Sequence, residues 1–232
     1  MPERAVAVAE ILLCSSIPTQ IALGYLLRIA GWPALDSAGQ LSFSFVVTLS
    51  IGDTLLLAVL MAILTRAHGE QVAALWLGRR PVRRELLFGV LLIPVVFVLV
   101  VVTLNVLRLV APWLHNVPLN PLEELAKTPS QAAMFGAVAI LAGGVREELQ
   151  RAFLLQRFER HLGGATVGII VLSTGFGLGH FVQGWDAVIT TGMLGALWAV
   201  VYVWRRSTVA PIISHAGFNT LEVLRVAMGG GQ

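Results

Sequence analysis

Two adjacent carboxylates and an arginine, Glu147, Glu148 and Arg151, lie inside a long apolar stretch of the chain. On insertion scales a charged side chain at the centre of a bilayer costs about 2.5 to 3.5 kcal/mol, so these three would burden a helix that had only a structural role. In an α-helix Glu147 and Arg151 lie one turn apart on one face, and we expect the arginine to neutralise a carboxylate there. The group therefore predicts a functional site.

Two later segments carry polar residues at the same one-turn spacing, Phe176 with His180 and His215 with Asn219. This spacing places both members of a pair on one helix face, and helices with inward polar faces can converge on a shared cavity. We therefore expect one cavity within the membrane, reachable from the cytoplasmic side or laterally from lipid. The residues expected to surround it, and assigned here as the catalytic site, are Glu147, Glu148, Arg151, His180, His215 and Asn219.

These side chains are the groups that a hydrolase without a covalent nucleophile would use. A carboxylate with a histidine can activate water as a general base, and a second histidine and an amide can donate hydrogen bonds to an oxyanion. On this interpretation no cofactor is required. Alternatively Glu147, His180 and His215 could hold a divalent metal such as zinc with one open position, so both mechanisms remain open on composition alone.

The composition is that of an integral membrane protein. Of 232 residues 56% are hydrophobic and only 12% are charged, whereas soluble domains average about 25% charged residues. The net charge is +3, but most of the basic residues are arginines that lie between apolar runs. The positive-inside rule explains this pattern better than nucleic-acid binding does. The single cysteine, Cys14, excludes an intrachain disulfide and a cysteine metal site.

Apolar segments predict an all-α, polytopic fold of about seven transmembrane helices with a polar intramembrane site. The whole chain, 1–232, is interpreted as a single transmembrane domain whose motif-bearing core is about 131–228. The first segment is too long for a signal-peptide core and is expected to be a retained span. The predicted spans are about 5–30, 41–65, 86–111, 131–160, 165–182, 185–204 and 208–228.

The orientation follows from the arginines. The loop 66–85 carries Arg66, Arg79, Arg80, Arg83 and Arg84, and the positive-inside rule assigns this loop to the cytoplasm. We therefore predict a multi-pass protein of the cell membrane with a cytoplasmic N-terminus and an external C-terminus.

Several other polar residues have simpler interpretations. Asp53, in the middle of the second span, is expected to bond a neighbouring helix. Glu222 and Arg225 are expected to form an ion pair near the end of the last helix. The sequence assigns no role to the three histidines in loops or at helix ends, which are His68, His115 and His161.

The last ninety or so residues resemble the CPBP family of intramembrane proteases, which includes the CAAX prenyl endopeptidases and bacterial abortive-infection proteins. That family carries EExxxR, FxxxH and HxxxN on successive helices. The corresponding residues here are Glu147-Glu148 with Arg151, then Phe176 with His180, then His215 with Asn219. Three short motifs in this order within an apolar chain form a fairly specific match.

The resemblance implies an all-helical membrane fold with an intramembrane peptidase site. In that family the first glutamate activates a water, the FxxxH histidine assists, and the HxxxN pair stabilises the oxyanion. Carried over, these residues are Glu147, His180, His215 and Asn219. The expected partners are a membrane protein or lipidated peptide as substrate and the lipid bilayer, with no nucleic acid.

The first motif departs from the family pattern, because only two residues separate Glu148 from Arg151. Alignment on the arginine and the following AFLL, which resembles the family's RGFLL, puts Arg146 at the first glutamate and Glu147 at the second. Alignment on the glutamates makes Glu147 the base and shifts the arginine by about 100° around the helix. We adopt the second alignment, because the other polar residues make little chemical sense without an acid.

The alternative function is that of a non-catalytic multi-pass membrane protein, such as an immunity-type or scaffold protein. Such a protein would keep the polar residues for helix packing, since membrane histidines and asparagines commonly bond neighbouring helices. A small transporter is a further alternative, but charges spread along a pathway are not visible in the sequence.

Overall fold

The computed structural model describes residues 2–118, 120–126 and 128–229, and their regular structure is helical apart from one isolated bridge between Leu35 and Leu41. We number the α-helices in chain order. They are α1 (Pro2–Leu13), α2 (Ile17–Ile29), α3 (Phe43–Ala67), α4 (Val72–Trp76), α5 (Val82–Val110), α6 (Pro129–Val138), α7 (Glu147–His161), α8 (Ala165–Leu178), α9 (Trp185–Arg205) and α10 (Val209–Ala227).

The protein is a polytopic all-α membrane protein, as predicted. Among the described residues, four helical stretches are long and apolar enough to cross a membrane, namely Glu3–Ile29, α3, α5 and α9. Large apolar side chains on their outer faces are exposed, for example Leu55 at 63% and Leu91 at 61%. Such a surface suits contact with lipid chains. The other predicted spans form helices that are shorter or carry charged residues.

The first predicted span is not one continuous helix. Ser16 adopts a left-handed conformation with φ of 70°, which interrupts the helix between α1 and α2. The break leaves polar groups available to α7, because Gln150 Nε2 donates to the carbonyl oxygen of Cys14 at 2.6 Å. Cys14 itself is fully buried in an apolar cluster, which agrees with its interpretation as a small hydrophobe.

The fourth predicted span begins with a capping box between Thr128 and Gln131 and ends at His161, before two glycines with positive φ. It is not uniformly α-helical. A π-helical segment, Ala139–Arg146, lies between α6 and α7. Because π-helical turns occur frequently at functional sites, the position of this segment immediately before Glu147 bears on the site.

The π segment packs directly against α10 through glycines. A Cβ atom on Gly144 would lie 2.6 Å from the Ala216 Cβ, and one on Gly143 would lie 2.4 Å from Asn219 Nδ2. Contacts this short leave no room for a side chain. The two glycines therefore bring the backbone of the π segment against the helix that carries His215 and Asn219.

Replacing Gly144 with alanine is expected to destabilise the protein by about 1 to 3 kcal/mol, because the new methyl overpacks the contact with Ala216. Gly136 is the matched control. A Cβ there would lie 3.7 Å from Val223 Cγ1, an ordinary contact, so Gly136→Ala should be neutral or slightly stabilising. Thermal unfolding in detergent compares the two variants, and equal stabilities would contradict this packing argument.

Ion pairs and hydrogen bonds show which helix ends lie together. The end of α9 meets the start of α5 through Arg205 and Glu85, separated by 2.5 Å, and the end of α7 meets the end of α3 through Arg157 and Glu70. We call the end of the bundle that contains these two ion pairs the arginine end. At the opposite end, His115 Nδ1 lies 2.7 Å from Asp186 Oδ2 and joins the segment after α5 to the start of α9.

The buried core lies toward the arginine end. One apolar cluster includes Phe153 and Leu154 of α7 and Leu75 of α4, and another joins Leu155 to Tyr202 of α9. The hydroxyl of Tyr202 also donates to the carbonyl oxygen of Leu75 at 3.1 Å. These contacts leave the opposite half of the bundle free to contain a cavity.

Candidate active site

A cavity of about 720 Å³ lies among the helices and contains most of the predicted site. Four of the six predicted catalytic residues line it: Glu147, His180, His215 and Asn219. Glu148 and Arg151 are buried next to it and do not line it. The expectation that all six surround the cavity was therefore wrong for these two.

His180 lies just beyond its predicted helix. Helix α8 ends at Leu178, so His180 follows the last turn and does not belong to a span that continues to residue 182. Its Nδ1 lies 2.8 Å from the carbonyl oxygen of Phe176. Because a carbonyl can only accept, Nδ1 carries the hydrogen, and Nε2 of the neutral ring is then an acceptor. The ring also contacts Phe176 edge-on at 4.9 Å between centroids.

His215 is held from two sides. Its ring stacks on Trp198 at 3.8 Å between centroids, and its Nδ1 lies 2.8 Å from Glu148 Oε1. Glu148 also forms an ion pair with Arg151, so this carboxylate joins the first and last motifs. The ring is thereby fixed with Nε2 directed away from Glu148, at 3.9 Å from Glu147 Oε2.

The two adjacent glutamates have different surroundings. The Glu147 side chain is 19% exposed and that of Glu148 only 1%. Arg151 neutralises a carboxylate as expected, and this carboxylate is Glu148, three residues before it, and not Glu147. Glu147 is bound instead by its neighbour Arg146, whose Nη2 lies 3.0 Å from Glu147 Oε1. Helix spacing allows Arg151 to pair with either glutamate, and Glu148 is the one that His215 also contacts.

Arg146 connects Glu147 to the first half of the chain. Its Nη1 donates to Asp53 Oδ2 at 2.9 Å and to the hydroxyl of Ser16 at 2.6 Å. Asp53 is 1% exposed and also accepts from Thr19 and Gln20. Asp53 thus bonds neighbouring helices, as predicted, but its charged partner was missed. The available signal was an arginine directly before the glutamates and an aspartate in mid-span, each requiring a counter-charge.

Asn219 faces the cavity from one turn beyond His215. Its Nδ2 donates to the carbonyl oxygen of Ala139, the first residue of the π segment, at 3.2 Å. An amide nitrogen carries two hydrogens, so one remains for a ligand in the cavity. The bond to Ala139 also fixes the amide orientation, because a carbonyl oxygen accepts only from the nitrogen side.

The outer part of the cavity contains polar residues outside the predicted catalytic site. His115 and Asp186 both line it and bond to each other, although His115 had been given no role. Glu222 and Arg225 form the predicted ion pair, with Arg225 Nε 3.0 Å from Glu222 Oε2. These groups give the outer cavity a polar wall.

The proposed zinc ligands do not form a metal site in this arrangement. Within residues 2–118, 120–126 and 128–229, no three histidine, cysteine, aspartate or glutamate side chains are grouped closely enough to hold a metal ion. Glu147 Oε1 is bound by Arg146, and a cation beside a carboxylate opposes metal binding. Glu147, His180 and His215 therefore form no ready-made zinc site in the described part of the chain.

Comparison with protein families matched residues 128–221 to the family described as type II CAAX prenyl endopeptidase Rce1-like. All six predicted catalytic residues lie within the matched range. Searches of curated proteins and of solved structures found no match. This match agrees with the resemblance inferred from the three motifs.

Proposed function

We propose that this chain, which contains an Rce1-like type II CAAX prenyl endopeptidase domain, hydrolyses peptide bonds within the membrane by direct attack of water. The family supports a CAAX-protease-type intramembrane endopeptidase in general. The observation that carries the finer proposal is that Glu147, His180, His215 and Asn219 line one cavity. The proposed substrate is a membrane protein or a lipidated peptide.

In the proposed mechanism Glu147 and His180 activate the attacking water. Arg146 binds Oε1 of Glu147, and Oε2 is the oxygen that faces His215 across the cavity. The Glu147 carboxylate removes one proton from a water molecule. The other hydrogen of this water is donated to Nε2 of His180. The resulting hydroxide attacks the carbonyl carbon, and the proton then passes to the leaving amine, which balances the hydrolysis.

His215 and Asn219 are proposed to stabilise the oxyanion. The second Nδ2 hydrogen of Asn219 is one donor, and Nε2–H of His215 is the other. His215 must be doubly protonated to donate from Nε2, since Nδ1 already donates to Glu148. Nδ1 of His215 bonds the Glu148 carboxylate, and Arg151 holds that carboxylate in place. Glu148 and Arg151 thus act through His215 as positioning residues.

Activity is expected to persist after treatment with a strong chelator, because no step of the proposed mechanism uses a metal. The measurement is cleavage of a purified substrate before and after chelation, followed by addition of Zn²⁺. Loss of activity on chelation with recovery on metal return would support the zinc alternative instead.

The proposed function is tested by comparing peptide termini in membranes that contain the wild-type protein or the Glu147→Gln variant. New termini that depend on Glu147 are expected from one or more membrane proteins. The matched control is Glu159→Gln. Glu159 lies on the same helix as Glu147 but pairs with Arg206, far from the cavity. If no terminus depends on Glu147, the non-catalytic alternative is favoured.

A further inference from the structure

The two ends of the bundle differ strongly in basic residues. Ten arginines belong to the arginine end, whereas Arg28, Arg108 and Arg225 are the described basic residues at the opposite end. The ten are Arg4, Arg66, Arg79, Arg80, Arg83, Arg84, Arg157, Arg160, Arg205 and Arg206. By the positive-inside rule the arginine end faces the cytoplasm.

The arginine end is closed by packing and by ion pairs. Arg157 is 1% exposed, lies between Glu10 and Glu70, and so joins α7 to α1 and to the turn after α3. Arg206 pairs with Glu159 at 2.6 Å. Beneath this layer Ala152 and Leu155 are fully buried against α9. A polypeptide could not reach Glu147 from this side without separating the packed core.

The cavity occupies the other half of the bundle. On α5 it is lined by Val100, Leu104 and Arg108, which lie in the last third of that helix. On α9 it is lined by residues from Asp186 to Trp198, which form the first two thirds. The cavity therefore extends from the depth of Glu147 toward the end that carries few arginines.

At the end of the bundle that carries few arginines, the cavity reaches the membrane–water interface. Its lining includes Val117, Asn120 and Glu123 of the segment between α5 and α6. Two tryptophans at the same end, Trp113 and Trp185, are 73% and 48% exposed. Exposed tryptophans are typical of the membrane–water interface. The polar wall of the cavity thus continues to the boundary between lipid and water.

We infer that the site receives its substrate from the extracytoplasmic side, so that its substrates are membrane-anchored or exported polypeptides whose cleaved segment lies outside the cytoplasm. That the ligand is a substrate rests on the proposed function. The direction from which it enters rests on the position of the cavity and on the distribution of the arginines. It differs from the sequence-based expectation of access from the cytoplasmic side or laterally from lipid.

The direction of access is tested by cysteine labelling in intact cells with a membrane-impermeant maleimide. In a Cys14→Ala background, Val117→Cys is expected to be labelled from outside and Arg80→Cys only after permeabilisation. Modification of Val117→Cys should also block Glu147-dependent cleavage, because Val117 lines the cavity. Labelling of position 80 but not 117 in intact cells would overturn the inference.

A second arm uses two single-span substrates that carry the same cleavable segment outside or inside the cell. Glu147-dependent cleavage of the outer form alone is expected, and cleavage of the inner form alone would overturn the inference. If neither form is cleaved, the proposed function fails for this segment, while the labelling pattern still decides the direction in which the cavity opens.

Discussion

Replacing Glu147 with glutamine is expected to lower the turnover number by about 10²- to 10⁴-fold, the usual cost of losing a general base. The fold should be unaffected, because Arg146 keeps Asp53 as a counter-charge at 2.9 Å after the change. Turnover is measured with purified protein in bicelles, and thermal unfolding of the same sample reports on stability. A Glu147→Gln variant with wild-type turnover would exclude Glu147 as the base.

Glu148→Gln is the matched control, because the same change one residue later meets different surroundings. It removes the counter-charge of Arg151, which is 6% exposed. Removing one partner of a buried ion pair typically lowers stability by about 3 to 5 kcal/mol. We therefore expect Glu148→Gln to lose stability as well as activity. If Glu148→Gln lost turnover with unchanged stability and Glu147→Gln lost neither, the base would be one residue further along the chain.

Replacing Asp53 with asparagine is expected to lower both stability and activity, with a stability loss approaching the roughly 3 to 5 kcal/mol that removal of one partner of a buried ion pair costs. Arg146 would then have Glu147 as its single carboxylate partner within hydrogen-bonding distance. Arg146, no longer held by Asp53, is expected to move with the Glu147 carboxylate and displace it from the attacking water. We therefore expect a lower unfolding temperature together with a lower turnover number.

The double variant Asp53→Asn/Arg146→Gln separates these effects. With both charges removed, stability should return part of the way to the wild-type value, since the fully buried Asp53 site then holds no unpaired charge, while the partly exposed Glu147 still loses Arg146. The coupling free energy from the four proteins measures the pair directly. Additive losses in the double variant would show that Asp53 and Arg146 act independently and would contradict the pairing.

Helix positions and the approximate site could be predicted from the sequence, because both depend on local patterns. Apolar runs of 20 or more residues predict spans, and one-turn spacing placed His215 and Asn219 on one face, where both line the cavity. The break at Ser16 was not predicted. It depends on a left-handed residue and on hydrogen bonds to α7 that have no local signature.

The pairing of charges could not be predicted, because it depends on contacts between distant segments. Local spacing allowed Arg151 to pair with either glutamate, and the proximity of His215 to Glu148 decides between them. The partner of Asp53 lies 93 positions along the chain. The π segment was also missed, since it depends on the close approach of α10 to Gly143 and Gly144.

The anchoring of Arg146 has a consequence for how the protein can be divided. The segment that matches the family model begins at residue 128, yet two of the groups that bind Arg146, Ser16 and Asp53, lie far before it. A fragment containing the matched residues alone would insert Arg146 with Glu147 but without its Ser16 and Asp53 partners. The first three helices are therefore part of the same cooperative unit as the site. Activity from a split protein should require both fragments to associate in the membrane.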